Sequence, residues 1–257
     1  MIKKIFSEIE TFYLSITFFT RLYLPFIKIK NYSKLHNSIR YLPLVGLLIG
    51  SFNLLLYNLL YYYFKDKLFS VLIFIFMYIF ITRALHEDGL VDVFDAFGGG
   101  KDKQHIIEIL KDSRIGVFGA IALIFSIAIK VIIYYKIDYN ITYAILLPPV
   151  LSRFYILPTI KFLNYVEDTN NNSKTLFRKG DIPFFLVILY FIIISLGFYF
   201  VDRYWFIAII SSNVIWIYLM LYFKRKINGY KGDCLGAIQQ LTEITIITTI
   251  YLINRII

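Results

Sequence analysis

The sequence predicts an all-α, polytopic integral membrane bundle of about seven transmembrane helices with a short N-terminal helix. Three observations carry that expectation. Hydrophobic residues make up 59% and aromatic residues 19% of the 257, a larger apolar share than soluble domains carry. The apolar residues fall in blocks long enough to cross a hydrocarbon layer of about 30 Å. Two blocks, Gly46–Phe64 and Phe184–Phe200, hold no charged side chain, so they lack the polar face of a soluble helix. Residues 1–257 read as one membrane-embedded domain.

The run Phe12–Phe26 is short and holds Arg21 and Pro25, which suits an interfacial or re-entrant helix. Expected spans follow at Tyr41–Phe64, Leu68–Leu85, Ile115–Tyr135, Ile141–Leu163, Ile182–Val201, Tyr204–Phe223 and Leu235–Ile256. The polar run Asp168–Lys174 reads as a loop. Glu8 and Glu10 precede the first apolar run and no small-residue cleavage site follows it, so no cleaved signal peptide is expected. Cys234 is the single cysteine, which excludes an intramolecular disulfide and a Cys-cluster metal site.

Basic residues orient the bundle. The segments before the first span and after the second, fourth and sixth carry sixteen, Lys28, Arg40, Lys101 and Arg225 among them. The opposite side carries five: Lys65, Lys67, Lys136, Arg203 and Arg255. The positive-inside rule then puts the 86–116 segment in the cytoplasm of a multi-pass plasma-membrane protein. The net charge of +10 is mostly this topology signal, with anionic membrane lipid and anionic substrate as partners. No basic stripe interleaved with aromatics argues for nucleic acid. Oligomeric state is open, a homo-oligomer included.

Residues 86–116 hold the densest chemistry. Asp88, Asp92 and Asp95 are spaced i, i+4, i+7, which puts three carboxylates on one helix face. A hard cation such as Mg²⁺ would turn their repulsion into binding. If the Leu68–Leu85 helix runs on, they sit near its C-terminal end, the unfavourable end for anions. Gly98, Gly99 and Gly100 offer backbone N–H groups to a phosphate, and Lys111 and Arg114 could clamp its oxygens. A solvated acidic loop with a glycine hinge is the plainer alternative. His86 abuts the acidic face and could meet metal, phosphate or neither.

Arg83 and Lys130 are expected to snorkel to the membrane edges. Arg153, deeper and just after Pro148-Pro149, is the better pairing or ligand residue. Gly232-Asp233-Cys234-Leu235-Gly236-Ala237 opens the last span with packing glycines and a helix-start aspartate. Glu243 lies about two turns deeper, costly unless it faces a polar cavity.

These strings resemble the cobalamin synthase family. They comprise His86-Glu87-Asp88-Gly89, Asp92, Asp95, Gly98-Gly99, the run Lys111–Gly116, the run Gly232–Ala237, and Phe19-Thr20-Arg21-Leu22 near the start. The resemblance implies a membrane transferase that joins adenosylcobinamide-GDP to α-ribazole or its 5′-phosphate, with Mg²⁺ as cofactor and GMP released. It implies metal ligation by Asp88, Asp92 and Asp95, with Asp112 as a fourth ligand or a base. Lys111 and Arg114 would stabilise the transition state, and Asp233 and Arg153 join the substrate-binding candidates. Ala96, Lys231 and Tyr23-Leu24-Pro25 depart from the family pattern. Two alternatives stand beside it. A CDP-alcohol phosphotransferase would need an aspartate where Leu85 stands. A cation-coupled transporter would draw on Arg153 and Glu243.

Overall fold

The computed structural model describes residues 2–23, 34–167 and 182–256. Lys28, Lys174 and the expected loop at Asp168–Lys174 lie outside the described residues. In chain order the helices are α1 (Ile2–Phe19), α2 (Leu35–Ser38), α3 (Leu42–Phe64), α4 (Lys67–Ile81), α5 (Leu85–Gly99), α6 (Lys103–Ile109) and α7 (Val117–Lys136). They continue with α8 (Ile141–Leu146), α9 (Pro148–Phe154), α10 (Ile156–Phe162), α11 (Phe184–Val201), α12 (Phe206–Ile227) and α13 (Gly232–Ile256). No strand occurs among the described residues, only an isolated bridge between Tyr165 and Tyr230.

Five helical runs are long and apolar enough to cross a membrane: 35–64, α7, 141–162, α11 and 203–227. The pair α4 and α5 qualifies only together, and it is bent by 85°. α13 has the length, but Gln239, Gln240 and Glu243 interrupt its apolar run. The expected count of seven is therefore not matched. α11 stands at the periphery with Phe185, Ile188, Ile192 and Leu196 exposed, as a helix facing lipid would.

Local sequence explains the breaks. Asp66 caps α4 by accepting from Phe69 N–H at 3.0 Å. Pro148 and Pro149 interrupt the run between α8 and α9. Glycines on α3 face that break; a Cβ on Gly46 would collide with the Pro149 carbonyl, and one on Gly50 would stand 2.6 Å from the Leu146 carbonyl. Between α4 and α5, Arg83 (φ 60°) and Ala84 (φ 54°) are both left-handed, a costly conformation for residues with a Cβ. The strained turn is held by Arg21 N–H on the Ile81 carbonyl (2.7 Å) and Ala84 N–H on the Ile79 carbonyl (2.9 Å).

That turn overturns the expectation of one helix running from Leu68 into the acidic segment. α5 is a new helix, and Glu87 and Asp88 occupy its first turn, where the dipole favours anions. α5 leaves the axis of α4 at 85° and begins where the expected span Leu68–Leu85 ends. α13 packs against α5, α7, α9, α10 and α12, and is the central helix of the bundle.

Candidate active site

α5 and α13 cross where two glycines meet. A Cβ on Gly89 would stand 2.7 Å from the Asp233 carbonyl oxygen, and one on Gly236 would stand 3.1 Å from Gly89 Cα and from the His86 carbonyl. Only backbones without side chains approach this closely. The crossing brings Asp88 and Asp92 of α5 together with Asp233 in the first turn of α13. Asp92 is half-buried, and its carboxyl is pushed up to about 7, first by burial and then by Asp233, Asp88 and Asp95. Among the described residues no three His, Cys, Asp or Glu side chains already close on one ion position.

Asp95 has a different occupation from the one its spacing suggests. Its Oδ2 accepts from Gly116 N–H (2.7 Å) and its Oδ1 from Gly119 N–H (2.9 Å), so it caps α7 from a neighbouring helix. This anchors the 112–116 loop beside the acidic helix. In that loop Arg114 donates to Asp112 from Nε (2.9 Å) and Nη2 (2.5 Å). The guanidinium holds the Asp112 carboxyl down at about 2. Arg114 and Lys111 are both exposed. Asp112 is thus a fixed anion that orients Arg114, a poor fit to the role of base.

The three glycines do not form the expected phosphate cradle. Gly98 and Gly99 lie in the last turn of α5, so their N–H groups belong to the helix ladder. Gly100 N–H donates to the Ala96 carbonyl at 2.8 Å. What Gly100 supplies is clearance, since a Cβ there would stand 2.5 Å from that carbonyl and crowd Ile106.

A second polar assembly lies deeper along α13. Glu243 Oε2 accepts from Tyr78 OH (2.5 Å) and from Gln239, while its Oε1 faces Lys130 Nζ at 3.3 Å. Lys130 Nζ donates to Gln240 Oε1 (2.7 Å), and Gln240 Nε2 donates to Glu87 Oε1 (2.9 Å). Arg153 Nη1 donates to Tyr78 OH (3.0 Å) and to the Pro149 carbonyl (3.2 Å). Lys130 is 3% exposed and Arg153 1%, so Lys130 does not snorkel and Arg153 is an internal tie rather than a substrate contact. Arg83 does reach the surface, with Nη2 on the Thr17 carbonyl at 3.1 Å. The sequence signal for the Lys130–Glu243 pair was an opposite charge in each of two apolar helices.

Beside the crossing opens a cavity of about 230 Å³. Its walls include Phe18 and Phe19 from α1, and Tyr165 and Tyr230, which meet edge to face at 5.6 Å. His86, Asp88 and Asp233 supply its polar side. Among the described residues, four buried polar atoms of this region and the network lack a hydrogen-bond partner: His86 Nδ1, Glu87 Oε2, Arg153 Nε and Glu243 Oε1, the last in ion-pair range of Lys130. The aromatic walls were invisible as a set in the sequence, because they come from three separate segments.

A helical membrane bundle that gathers carboxylates at a glycine-lined helix crossing, with basic side chains on the adjoining loop, has the parts of a phosphate-handling membrane transferase. The family model described as cobalamin-5-phosphate synthase matches residues 11–251. This chain belongs to that family. Relatives named adenosylcobinamide-GDP ribazoletransferase include one from Clostridium tetani, 35% identical over 79% of this chain and 80% of its own. Another from Leptospira interrogans is 33% identical over 94% of each chain, and one from Caldanaerobacter subterraneus is 32% identical over 93% of this chain and 96% of its own. No solved structure matches.

Proposed function

We propose that this chain joins adenosylcobinamide-GDP to α-ribazole, or to its 5′-phosphate, to give adenosylcobalamin, or its 5′-phosphate, and GMP. The observation that carries this reading is the convergence of Asp88, Asp92 and Asp233 at the α5/α13 crossing in a chain of this family. A ring hydroxyl of the ribazole ribose forms a bond to the cobinamide-side phosphorus, since the 5′-oxygen keeps its phosphate when the 5′-phosphate is the acceptor, and the bond from that phosphorus to the GMP oxygen breaks. GMP leaves with the electron pair, and the hydroxyl proton passes to a carboxylate of the crossing. Arg114, oriented by Asp112, and Lys111 lie on the adjoining loop, where they can neutralise pyrophosphate oxygens.

The donor chemistry fits Mg²⁺. Asp92, pushed up to about 7 first by burial and then by Asp233, Asp88 and Asp95, stands among hard oxygen ligands of like charge. Asp88, Asp92 and Asp233 would hold the ion, with Asp95 retained as the cap of α7. The ion would supply charge neutralisation at the pyrophosphate. The excess of basic residues around the 86–116 segment supports a cytoplasmic site in the plasma membrane. Lipid contact is supported by the apolar exterior of α11. The transporter alternative loses its support, because Arg153 and Glu243 are both tied to Tyr78.

The test is GMP release by the purified chain in nanodiscs. We expect GMP and a corrinoid product only when adenosylcobinamide-GDP, α-ribazole and Mg²⁺ are all present, and none after EDTA. A folded protein that turns over with neither ribazole form would overturn the reading.

A further inference from the structure

The cavity beside the crossing has the shape and chemistry of a small-molecule subsite. Its volume of about 230 Å³ falls below the roughly 300 Å³ where pockets for drug-sized ligands begin. A macrocyclic corrinoid cannot enter it, whereas a two-ring base can. Four aromatic side chains, Phe18, Phe19, Tyr165 and Tyr230, share its walls with aliphatic ones such as Ile156 and Leu235. Such walls suit a flat apolar ring system, which gains both burial and edge-to-face or stacked contacts.

The polar atoms narrow the ligand further. His86 lines the cavity, is 3% exposed, and leaves Nδ1 buried with no hydrogen-bond partner. A buried ring nitrogen without a partner is unfavourable, and a ligand that hydrogen-bonds to it, accepting when Nδ1 is the protonated nitrogen, removes that penalty. The base of ribazole is a benzimidazole: two fused rings, apolar except for one unsubstituted nitrogen that accepts a single hydrogen bond. Its ribose carries hydroxyl donors, which suit the carboxylates Asp88 and Asp233. Guanine fits less well: its N1–H and N2–H2 could reach the carboxylates, but O6, N7 and N3 would then lie against mostly apolar walls without donors.

We propose that this cavity is the subsite for the base of the acceptor riboside, with the rings between the α1 aromatics and the Tyr165–Tyr230 pair. His86 Nδ1–H meets the free ring nitrogen, and the ribose points toward Asp88 and Asp233. The inference rests on the ribazole-transfer reading above for the identity of the ligand.

Gly232 allows a clean test. It lines the cavity, and a Cβ built on it meets nothing within 4 Å, so Gly232→Phe fills the space without a backbone collision. Two measurements are made on the full chain in nanodiscs: equilibrium dialysis of α-ribazole without the corrinoid donor, and steady-state transfer. Gly232→Phe should weaken α-ribazole binding and raise its KM by at least about tenfold, with the KM for adenosylcobinamide-GDP within about twofold. His86→Phe should weaken α-ribazole similarly, while His86→Asn, which keeps a donor, should recover most of the affinity. An unchanged α-ribazole KM in Gly232→Phe, a KM effect that falls on adenosylcobinamide-GDP, or displacement of α-ribazole by GMP in dialysis would each overturn the subsite. Dialysis separates the two readings. Binding that Gly232→Phe abolishes, in a chain that never transfers, leaves the subsite standing and removes the reaction; transfer indifferent to Gly232→Phe does the reverse.

Discussion

At the α5/α13 crossing, carboxylates of like charge are gathered where water reaches them. Ten residues further along α13, about 15 Å by helix rise, Glu243 meets Lys130 and the Tyr78–Arg153 pair with almost no exposure. The first region crowds like charges, relieved in part by Lys231 beside Asp233, and the second compensates nearly every charge it buries. A carboxylate at the crossing can be changed at little cost to the fold and at large cost to chemistry, unlike the glycines that let the helices meet there. A group in the buried network behaves in the opposite way, because removing one partner strands another in the bundle interior. Gln240 links the two regions, since it bonds Lys130 on one side and Glu87, the neighbour of Asp88, on the other.

The largest effect expected is on the network. Glu243→Ala strands Lys130 and should cost about 3–5 kcal/mol of stability, read as a fall in thermal midpoint and folded yield in detergent. Adding Lys130→Met should recover part of that loss; a double variant no more stable than the single one would break the contrast. Next comes the crossing itself. Gly236→Leu forces a side chain against Gly89 and the His86 carbonyl, and overpacking of this kind costs about 1–3 kcal/mol. Because it separates the carboxylates, it should also lower kcat in the protein that remains folded.

A pH effect of opposite origin sharpens the comparison. The Asp92 carboxyl stands at about 7, above its ordinary value, so between those values the folded chain binds more protons than the unfolded one. Stability of the metal-free protein should therefore fall as pH rises from about 4 to about 7, and Asp92→Asn should flatten that slope. Thermal midpoints across this range, measured after metal removal, check it. The smallest effect belongs to the turn before α5. Ala84→Gly relieves a left-handed Cβ, and should raise the midpoint by an amount worth a few tenths to about 1 kcal/mol.

The sequence made the membrane class legible because charge-free blocks have no soluble explanation. It also singled out Asp88, Asp92 and Asp233. Spacing could not separate Asp95 from them, since an i+7 carboxylate looks the same whether it meets an ion or caps α7. The 85° turn was hidden because no proline or glycine marks it; Arg83 and Ala84 take the strained conformation instead. That one missed turn reversed the dipole argument for Asp88. Gly98 to Gly100 looked like an anion loop, but a glycine string closing a helix has its N–H groups already committed. Lys130 read as an edge residue because its partner, Glu243, is over a hundred positions away in the chain.

The most direct measurement is GMP release by Asp92→Asn in nanodiscs, with the thermal midpoint taken on the same sample. We expect kcat to fall on the order of 10²–10³-fold, the scale of losing a group that stabilises developing charge, while the midpoint stays at or above that of the unaltered chain. Near-normal turnover by a folded Asp92→Asn protein would contradict the assignment of the crossing as the site of ribazole transfer.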